Sequence, residues 1–168
     1  MTNALHRLTV AQMAVAVQNM RAVMDRAESH AIANGFDTAT LLQARLYPNM
    51  YNLLQQLQYI CFVAVDLAQH FSSTVAPRVG YDEETWEELT ESLGTTAVYL
   101  STISETDVEK NLGKEVATFM DDTVKMNVVD YAARVSLPDF YFHMSVAYAI
   151  LRHNGVPLGK SDFLGKLG

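Results

Sequence analysis

Apolar residues recur at helical spacing in four long stretches of this chain. Within each stretch they return every three or four positions, the period that places them on one face of an α-helix. The stretches cover residues 10–34, 49–71, 83–103 and 137–154. Because short loops and one small hairpin are expected between them, the pattern predicts an all-α fold, an antiparallel four-helix bundle.

Start and stop signals accompany these stretches. Thr9 is a predicted N-cap, and Gln12 completes a capping box three residues later. Pro48 lies where the second helix would begin, and Asp82 can cap the third. Gly35 is predicted to end the first helix in a left-handed conformation.

Shorter elements are predicted between the long helices. Asp37 can cap a short helix over residues 38–45. Residues 104–113 are polar and predict no regular structure, whereas apolar and polar residues alternate within 114–127 and predict a small β-hairpin before the last helices. Residues 128–135 are typical of a short helix.

Length and charge narrow the classes of function. A chain of 168 residues, 49% of them hydrophobic and 18% charged, fits a single domain spanning 1–168. Its net charge of −7 disfavours nucleic-acid binding, and the acidic residues of 81–91 would repel an anionic membrane. No apolar run approaches the roughly 20 residues that a membrane span needs.

Cys61 is the only cysteine, so an intramolecular disulfide is excluded. With no secretory signal in the sequence, the chain is expected to be cytoplasmic. Cys61 lies in the apolar run 59–63, where a buried small hydrophobic side chain is favoured over a nucleophile.

Two motifs carry a family resemblance. Residues 137–165 read LPDFYFHMSVAYAILRHNGVPLGKSDFLG, and residues 44–50 read ARLYPNM, followed by QLQ at 56–58. Together they resemble a bacterial and fungal family, catalogued as a domain of unknown function, within the DinB/YfiT-like superfamily. The resemblance implies the four-helix bundle directly and implies function only indirectly.

The resemblance raises the question of a metal. Many DinB-like proteins hold a divalent metal with three histidines, two of them four residues apart on one helix. Here His143 could be one of that pair, but position 147 is alanine, and the first half of the second long helix contains no histidine. We therefore predict no metal ligands and no cofactor.

The chain also departs from the pattern of the family it resembles. Asn49 and Phe62 stand where the pattern has aspartates, and Asp139 stands where it has an asparagine. This exchange indicates a pocket rebuilt for a small apolar or aromatic ligand, although drift in a pocket with little function would look the same. Fungal relatives can accompany polyketide biosynthetic enzymes, where they resemble cofactor-free isomerases.

Asp139 and His143 are the predicted catalytic pair. Their spacing of four residues places them on one helix face, where the carboxylate can accept a hydrogen bond from one imidazole nitrogen and leave the other free to take a proton. Two alternatives stay open. Asp139 could simply stabilise the first turn of its helix, and His143 could be a core histidine with satisfied hydrogen bonds.

Proton abstraction beside a ketone also needs a group that holds the enolate oxygen. The candidate substrate-binding residues are Arg45, Tyr51, Gln56, Gln58, Phe62 and Tyr148, with Phe62 as an apolar wall. Gln56 and Gln58 are two positions apart, so they cannot share a helix face. Arg45 could instead clamp a helix end or the tail. Tyrosines and phenylalanines bracket the expected cavity in sequence, among them Tyr47, Tyr51, Tyr59, Phe62, Phe140, Tyr141 and Tyr148.

These observations favour a cofactor-independent isomerase acting on an aromatic, polyketide-type ketone. A metal-dependent transferase or hydrolase of the DinB type and a non-catalytic small-molecule-binding bundle are the alternatives. The expected partner is a small apolar or aromatic substrate, and a homodimer is plausible because apolar bundles often bury a helix face against a second copy.

Overall fold

The computed structural model describes residues 2–165. Four long helices dominate it, and short helices and one two-stranded sheet connect them. In chain order the elements are α1 (Thr2–His6), α2 (Gln12–Asn34), α3 (Thr38–Gln43), α4 (Leu53–Gln69), α5 (Trp86–Ser101), α6 (Glu105–Asn111), β1 (Glu115–Ala117), β2 (Lys125–Asn127), α7 (Val128–Tyr131), α8 (Leu137–His153) and α9 (Lys160–Leu164).

The long helices α2, α4, α5 and α8 form a bundle. Helix α2 packs mainly on α5, and α4 packs on both α8 and α5. Their inward faces supply one continuous apolar cluster that includes Met13, Leu57, Leu93 and Phe140. Burial of each such side chain contributes about 1.5–3 kcal/mol. The predicted all-α four-helix bundle with a small hairpin is confirmed.

The hairpin pairs Glu115 with Asn127, Val116 with Met126 and Ala117 with Lys125 in antiparallel register. Residues 104–113, predicted to be irregular, instead contain α6, because Ser104 and Asp107 form a capping box at its start. Gly35 ends α2 with a φ of 71°, as predicted.

Three predicted helix starts are wrong. Thr9 does not cap α2; its hydroxyl donates to the Leu5 carbonyl oxygen at 2.7 Å inside a helix that has already begun. Helix α4 begins after Asn52, which forms a capping box with Gln55, rather than at Pro48. Helix α5 begins after Thr85 rather than Asp82, through a second capping box with Glu88.

Two π-helical turns interrupt otherwise continuous helices. Arg7–Ala11 joins α1 to α2, and Ala132–Ser136 joins α7 to α8. The residues that flank both turns keep right-handed helical dihedral angles, so the chain direction continues through each turn. Pro138 lies in the first turn of α8, directly after the second π-helical turn, and has no N–H to donate to that turn.

The long loop between α4 and α5 lies against α4. Gly80 has a φ of 79°, and a Cβ atom built on it would lie 2.8 Å from the backbone nitrogen of Phe62. Only glycine allows this close approach. The buried carboxylate of Glu83 accepts hydrogen bonds from the backbone nitrogens of Gly80 and Tyr81 in the loop and from the Ser92 hydroxyl on α5. These hydrogen bonds tie the loop to α5.

Within residues 2–165, none of the helices combines the length and the apolarity that crossing a membrane requires.

Candidate functional site

His143 and Gln56 meet between α8 and α4. The two residues are 5% and 1% exposed, and His143 Nδ1 lies 2.6 Å from Gln56 Oε1. The other end of the Gln56 amide donates to the Tyr51 carbonyl oxygen at 3.2 Å, which assigns the acceptor oxygen to the histidine side. His143 Nδ1 therefore carries a proton, and Nε2 of the neutral ring is left with its lone pair.

Asp139 lies one turn before His143 on α8. Its Oδ1 is 3.6 Å from His143 Nε2, which is too long for a hydrogen bond but short enough for an ion pair. Among the described residues, Asp139 Oδ2 is buried with no hydrogen-bond partner. The prediction that Asp139 fixes the imidazole tautomer is thus wrong in its geometry, because Gln56 makes that hydrogen bond.

Burial shifts the pKa values of His143 and Asp139 in opposite directions. Desolvation lowers the pKa of His143, against the attraction of Asp139, which raises it. Desolvation raises the pKa of Asp139, and the attraction of His143 lowers it. Burial therefore favours the neutral form of both groups, and their mutual attraction favours the charged pair.

An aromatic wall covers the histidine ring. The ring of Tyr59 stacks on that of His143 with centroids 4.8 Å apart, and the ring of Tyr51 lies 5.1 Å from that of Tyr59, tilted by 34°. The Tyr51 hydroxyl donates to the Tyr59 hydroxyl at 3.3 Å, and this hydrogen bond, with burial, raises the pKa of Tyr59. Tyr51 is 41% exposed, so it lies between the buried ring and solvent.

Gln58 and Arg45 lie apart from His143. Both line a groove of about 640 Å³, bounded on its other side by residues 81–84. Gln58 donates to the Glu83 carbonyl oxygen at 2.9 Å, and Arg45 donates to that of Met50 at 3.3 Å. The structure therefore assigns these two predicted substrate-binding residues to a polar groove of which neither His143 nor Asp139 is a lining residue.

Phe62 and Tyr148 also lie outside the immediate surroundings of His143. Phe62 touches Tyr59 edge to face at 5.9 Å and continues the aromatic wall towards Tyr81. Tyr148 follows His143 by five positions, about 140° around α8, and packs against Phe163 of α9. The structure thus brings together His143, Asp139, Gln56 and Tyr51 of the predicted site.

The comparisons with known proteins give a family. A family profile described as "Domain of unknown function (DUF1993)" matches residues 5–164. The chain belongs to the DUF1993 family. Its structure is similar to the crystal structure of a DinB family member protein from Shewanella denitrificans, with 31% sequence identity, a TM-score of 0.89, and coverage of 99% of this chain and 94% of that one. The search of curated proteins gives no match.

Tyr59 is the site residue of this DUF1993 protein that the sequence reasoning missed. The sequence pattern identifies it only as one of the aromatic residues that bracket the expected cavity. Its position three residues after Gln56 puts both side chains on the same face of α4, and that spacing is the signal that would have found it.

The metal site of many DinB-like proteins does not fit this DUF1993 chain. Among residues 2–165 no three His, Cys, Asp or Glu side chains converge as a metal-binding group. The position one turn after His143 is Ala147, which offers no ligand. We therefore derive no catalytic step through a metal.

Proposed function

We propose that this protein is a cofactor-independent isomerase that moves a proton on an enolisable aromatic ketone. The observation that carries the proposal is the hydrogen bond between His143 Nδ1 and Gln56 Oε1, 2.6 Å long. It leaves Nε2 unprotonated and beside the Asp139 carboxyl group. A neutral imidazole with one oriented free nitrogen is the arrangement that general base catalysis requires.

The proposed reaction is a proton transfer in two steps. His143 Nε2 takes a proton from the carbon next to the ketone, and the C–H electron pair moves into the carbonyl group to give an enolate. The resulting imidazolium lies within ion-pair distance of Asp139, whose negative charge stabilises it. Return of the proton to another atom or face of the enolate completes a tautomerisation or an epimerisation, with no net gain or loss of atoms or electrons.

Tyr51 is the proposed donor to the enolate oxygen. Among the predicted oxygen-holding residues, Gln56 donates to the Tyr51 carbonyl oxygen, and Arg45 and Gln58 line a separate groove. The Tyr51 hydroxyl donates to Tyr59, and in the proposed reaction it turns from Tyr59 to the enolate oxygen. The Tyr51 hydroxyl lies at the solvent side of the aromatic wall that covers His143. Since His143 is 5% exposed, an incoming ketone must displace Tyr51 or Tyr59 to reach Nε2.

The aromatic wall supports an aromatic substrate, because stacked rings bind flat π-systems. The polyketide class is proposed from the family resemblance of the fungal members. A cytoplasmic location and a homodimer belong to the same proposal, and sedimentation of the purified protein tests the dimer.

The test is the exchange of α-protons of 2-tetralone for deuterium in D₂O, followed by ¹H NMR. We expect the wild-type protein to accelerate exchange, and His143→Ala to lower the rate on the order of 10²-fold or more. His153→Ala is the matched control, because His153 is an exposed histidine at the end of the same helix. Full activity in folded His143→Ala, or equal losses in both variants, would overturn the mechanism.

A non-catalytic small-molecule-binding role is favoured by one observation, the deep burial of His143 behind two tyrosine rings. Thermal shift with the same ketone separates the two functions. A ligand that raises the melting temperature without exchanging its α-protons supports the binding role.

A further inference from the structure

A second aspartate–histidine pair lies at the C-terminal end of α4, about two turns beyond Tyr59. Asp66 and His70 repeat the four-residue spacing of Asp139 and His143, and His70 Nε2 is 3.9 Å from Asp66 Oδ2. Asp66 follows Tyr59 by seven residues, about 10 Å along the helix axis. The pair is therefore separate from the His143 site and plays no part in the function proposed above.

The Asp66 carboxylate is held by neutral donors. It accepts hydrogen bonds from the Tyr131 hydroxyl and, at 3.0 Å, from Gln69 Nε2. Within residues 2–165 no lysine or arginine lies within ion-pair distance of it. Burial lowers the pKa of His70, the attraction of Asp66 raises it, and the charge of Lys114 lowers it. The His70 Nε2 atom has no hydrogen-bond partner among the described residues, so the ring does not donate to the carboxylate.

This carboxylate lines a groove with aromatic and apolar walls. The groove encloses about 280 Å³ between α4 and the loop that follows it. Its lining residues are Phe62, Val65, Asp66, Gln69, Ala76, Pro77, Arg78, Val79 and Tyr81. Phe62 and Tyr81 meet edge to face at 5.7 Å. The volume lies just below the roughly 300–1,000 Å³ of small-molecule pockets, which limits the ligand to one ring and a short chain.

Two cations lie near Asp66 among the described residues, and neither forms an ion pair with it. Lys114 Nζ donates to the His70 carbonyl oxygen at 3.1 Å. Arg78 pairs with Asp82 at 3.2 Å, and its guanidinium lies 5.1 Å from the centre of the Tyr81 ring. Its side chain is 72% exposed, so water screens its charge.

We propose that this groove binds a small arylalkylammonium ion, with the ammonium group on the Asp66 carboxylate and the aromatic ring packed against the rings of Phe62 and Tyr81 that line the groove. Charge complementarity carries the proposal: a half-enclosed carboxylate without a cationic partner attracts a cation more strongly than an exposed one. The aromatic walls add ring stacking and cation–π attraction.

The experiment is a ¹H–¹⁵N NMR titration of the full chain with 2-phenylethylammonium chloride. We expect amide shifts in 62–70 and 76–82 and none around His143. The neutral isostere 2-phenylethanol is expected to bind at least about tenfold more weakly. Shifts confined to other regions, no shifts at millimolar ligand, or equal affinity for the alcohol would overturn the proposal.

Two variants locate the site. Asp66→Asn removes the charge and keeps the shape of the side chain, and we expect it to weaken ammonium binding about tenfold or more. Asp25→Asn, at an exposed position on α2, makes the same charge change and is expected to leave binding unchanged. Tyr81→Ala, at a residue that is 56% exposed, tests the aromatic wall without disturbing the core. Unchanged affinity in folded Asp66→Asn contradicts the proposal; if that variant does not fold, Tyr81→Ala and the alcohol comparison decide.

Discussion

Replacing Gln56 with leucine tests the hydrogen bond on which the candidate site depends. The change keeps the side-chain size but removes the acceptor of His143 Nδ1 and the donor to the Tyr51 carbonyl oxygen. Gln56 and His143 are both buried, so the freed imidazole N–H finds no water. Leaving two polar groups unpaired costs about 2–4 kcal/mol of unfolding free energy. For a chain of this size the melting temperature then falls by roughly 4–16 °C.

Urea denaturation of four proteins measures this hydrogen bond directly: the wild type, Gln56→Leu, His143→Phe and the double variant. Each single substitution leaves the other side chain without its hydrogen-bond partner, whereas the double variant removes both partners. We therefore expect a coupling energy of about 1–2 kcal/mol. Gln18→Leu, an exposed glutamine on α2, is the matched control and should change stability by less than about 0.5 kcal/mol.

Ring ¹⁵N chemical shifts supply a readout that a packing effect would not move. The neutral His143 ring should be protonated at Nδ1 in the wild type and lose this preference in Gln56→Leu. A stability loss no larger than that of Gln18→Leu, additive double-variant energies, or an Nε2-protonated wild-type ring would refute the reasoning.

Two further predictions concern charge and backbone. Burial raises the pKa of Asp139, so the stability that this carboxyl contributes is complete below its unfolded-state pKa of about 3.9 and is lost as pH rises through the raised folded-state pKa. Asp139→Asn has no carboxyl group to ionise, so its unfolding free energy, measured in urea, should rise relative to that of the wild type from about pH 4 to pH 7. Parallel pH profiles of the two proteins would contradict a raised pKa of Asp139. Gly80→Ala should cost about 2–5 kcal/mol, since a Cβ atom would meet the Phe62 backbone nitrogen at 2.8 Å. Gly35→Ala has a similar positive φ but nothing within 4 Å, so it should cost only about 1–2 kcal/mol, and equal losses in urea denaturation would count against the close contact.

The sequence predicted the bundle well because helical periodicity records which side chains face the core. It misplaced three helix starts for a shared reason. Thr9, Pro48 and Asp82 all carry chemistry that suits a helix start, but the choice among neighbouring candidates depends on tertiary contacts. At Asp82 the competitor is Glu83, whose buried carboxylate accepts the backbone N–H groups of Gly80 and Tyr81 and holds this part of the chain as a loop, so the helix begins only after Thr85.

The site was predicted in part. The four-residue spacing correctly placed Asp139 and His143 on one face, because both lie on one helix. The Gln56 contact joins residues 87 positions apart, and no local pattern reports a contact between two helices. Tyr148 is a predicted oxygen donor because its hydroxyl is close to His143 in sequence, but five positions along a helix place it about 140° away from His143.

The π-helical turn at Ala132–Ser136 bears on how relatives of different length are aligned. Such a turn holds one residue more than an α-helical turn, and removing that residue restores regular helix with a rotation of about 100°. Since α8 is anchored to α4 by His143, the rotation would fall on α7 and the hairpin. In a homologue with one residue fewer between 132 and 136, the helix face that carries His143 is therefore expected to stay in place, and only α7 and the hairpin change direction.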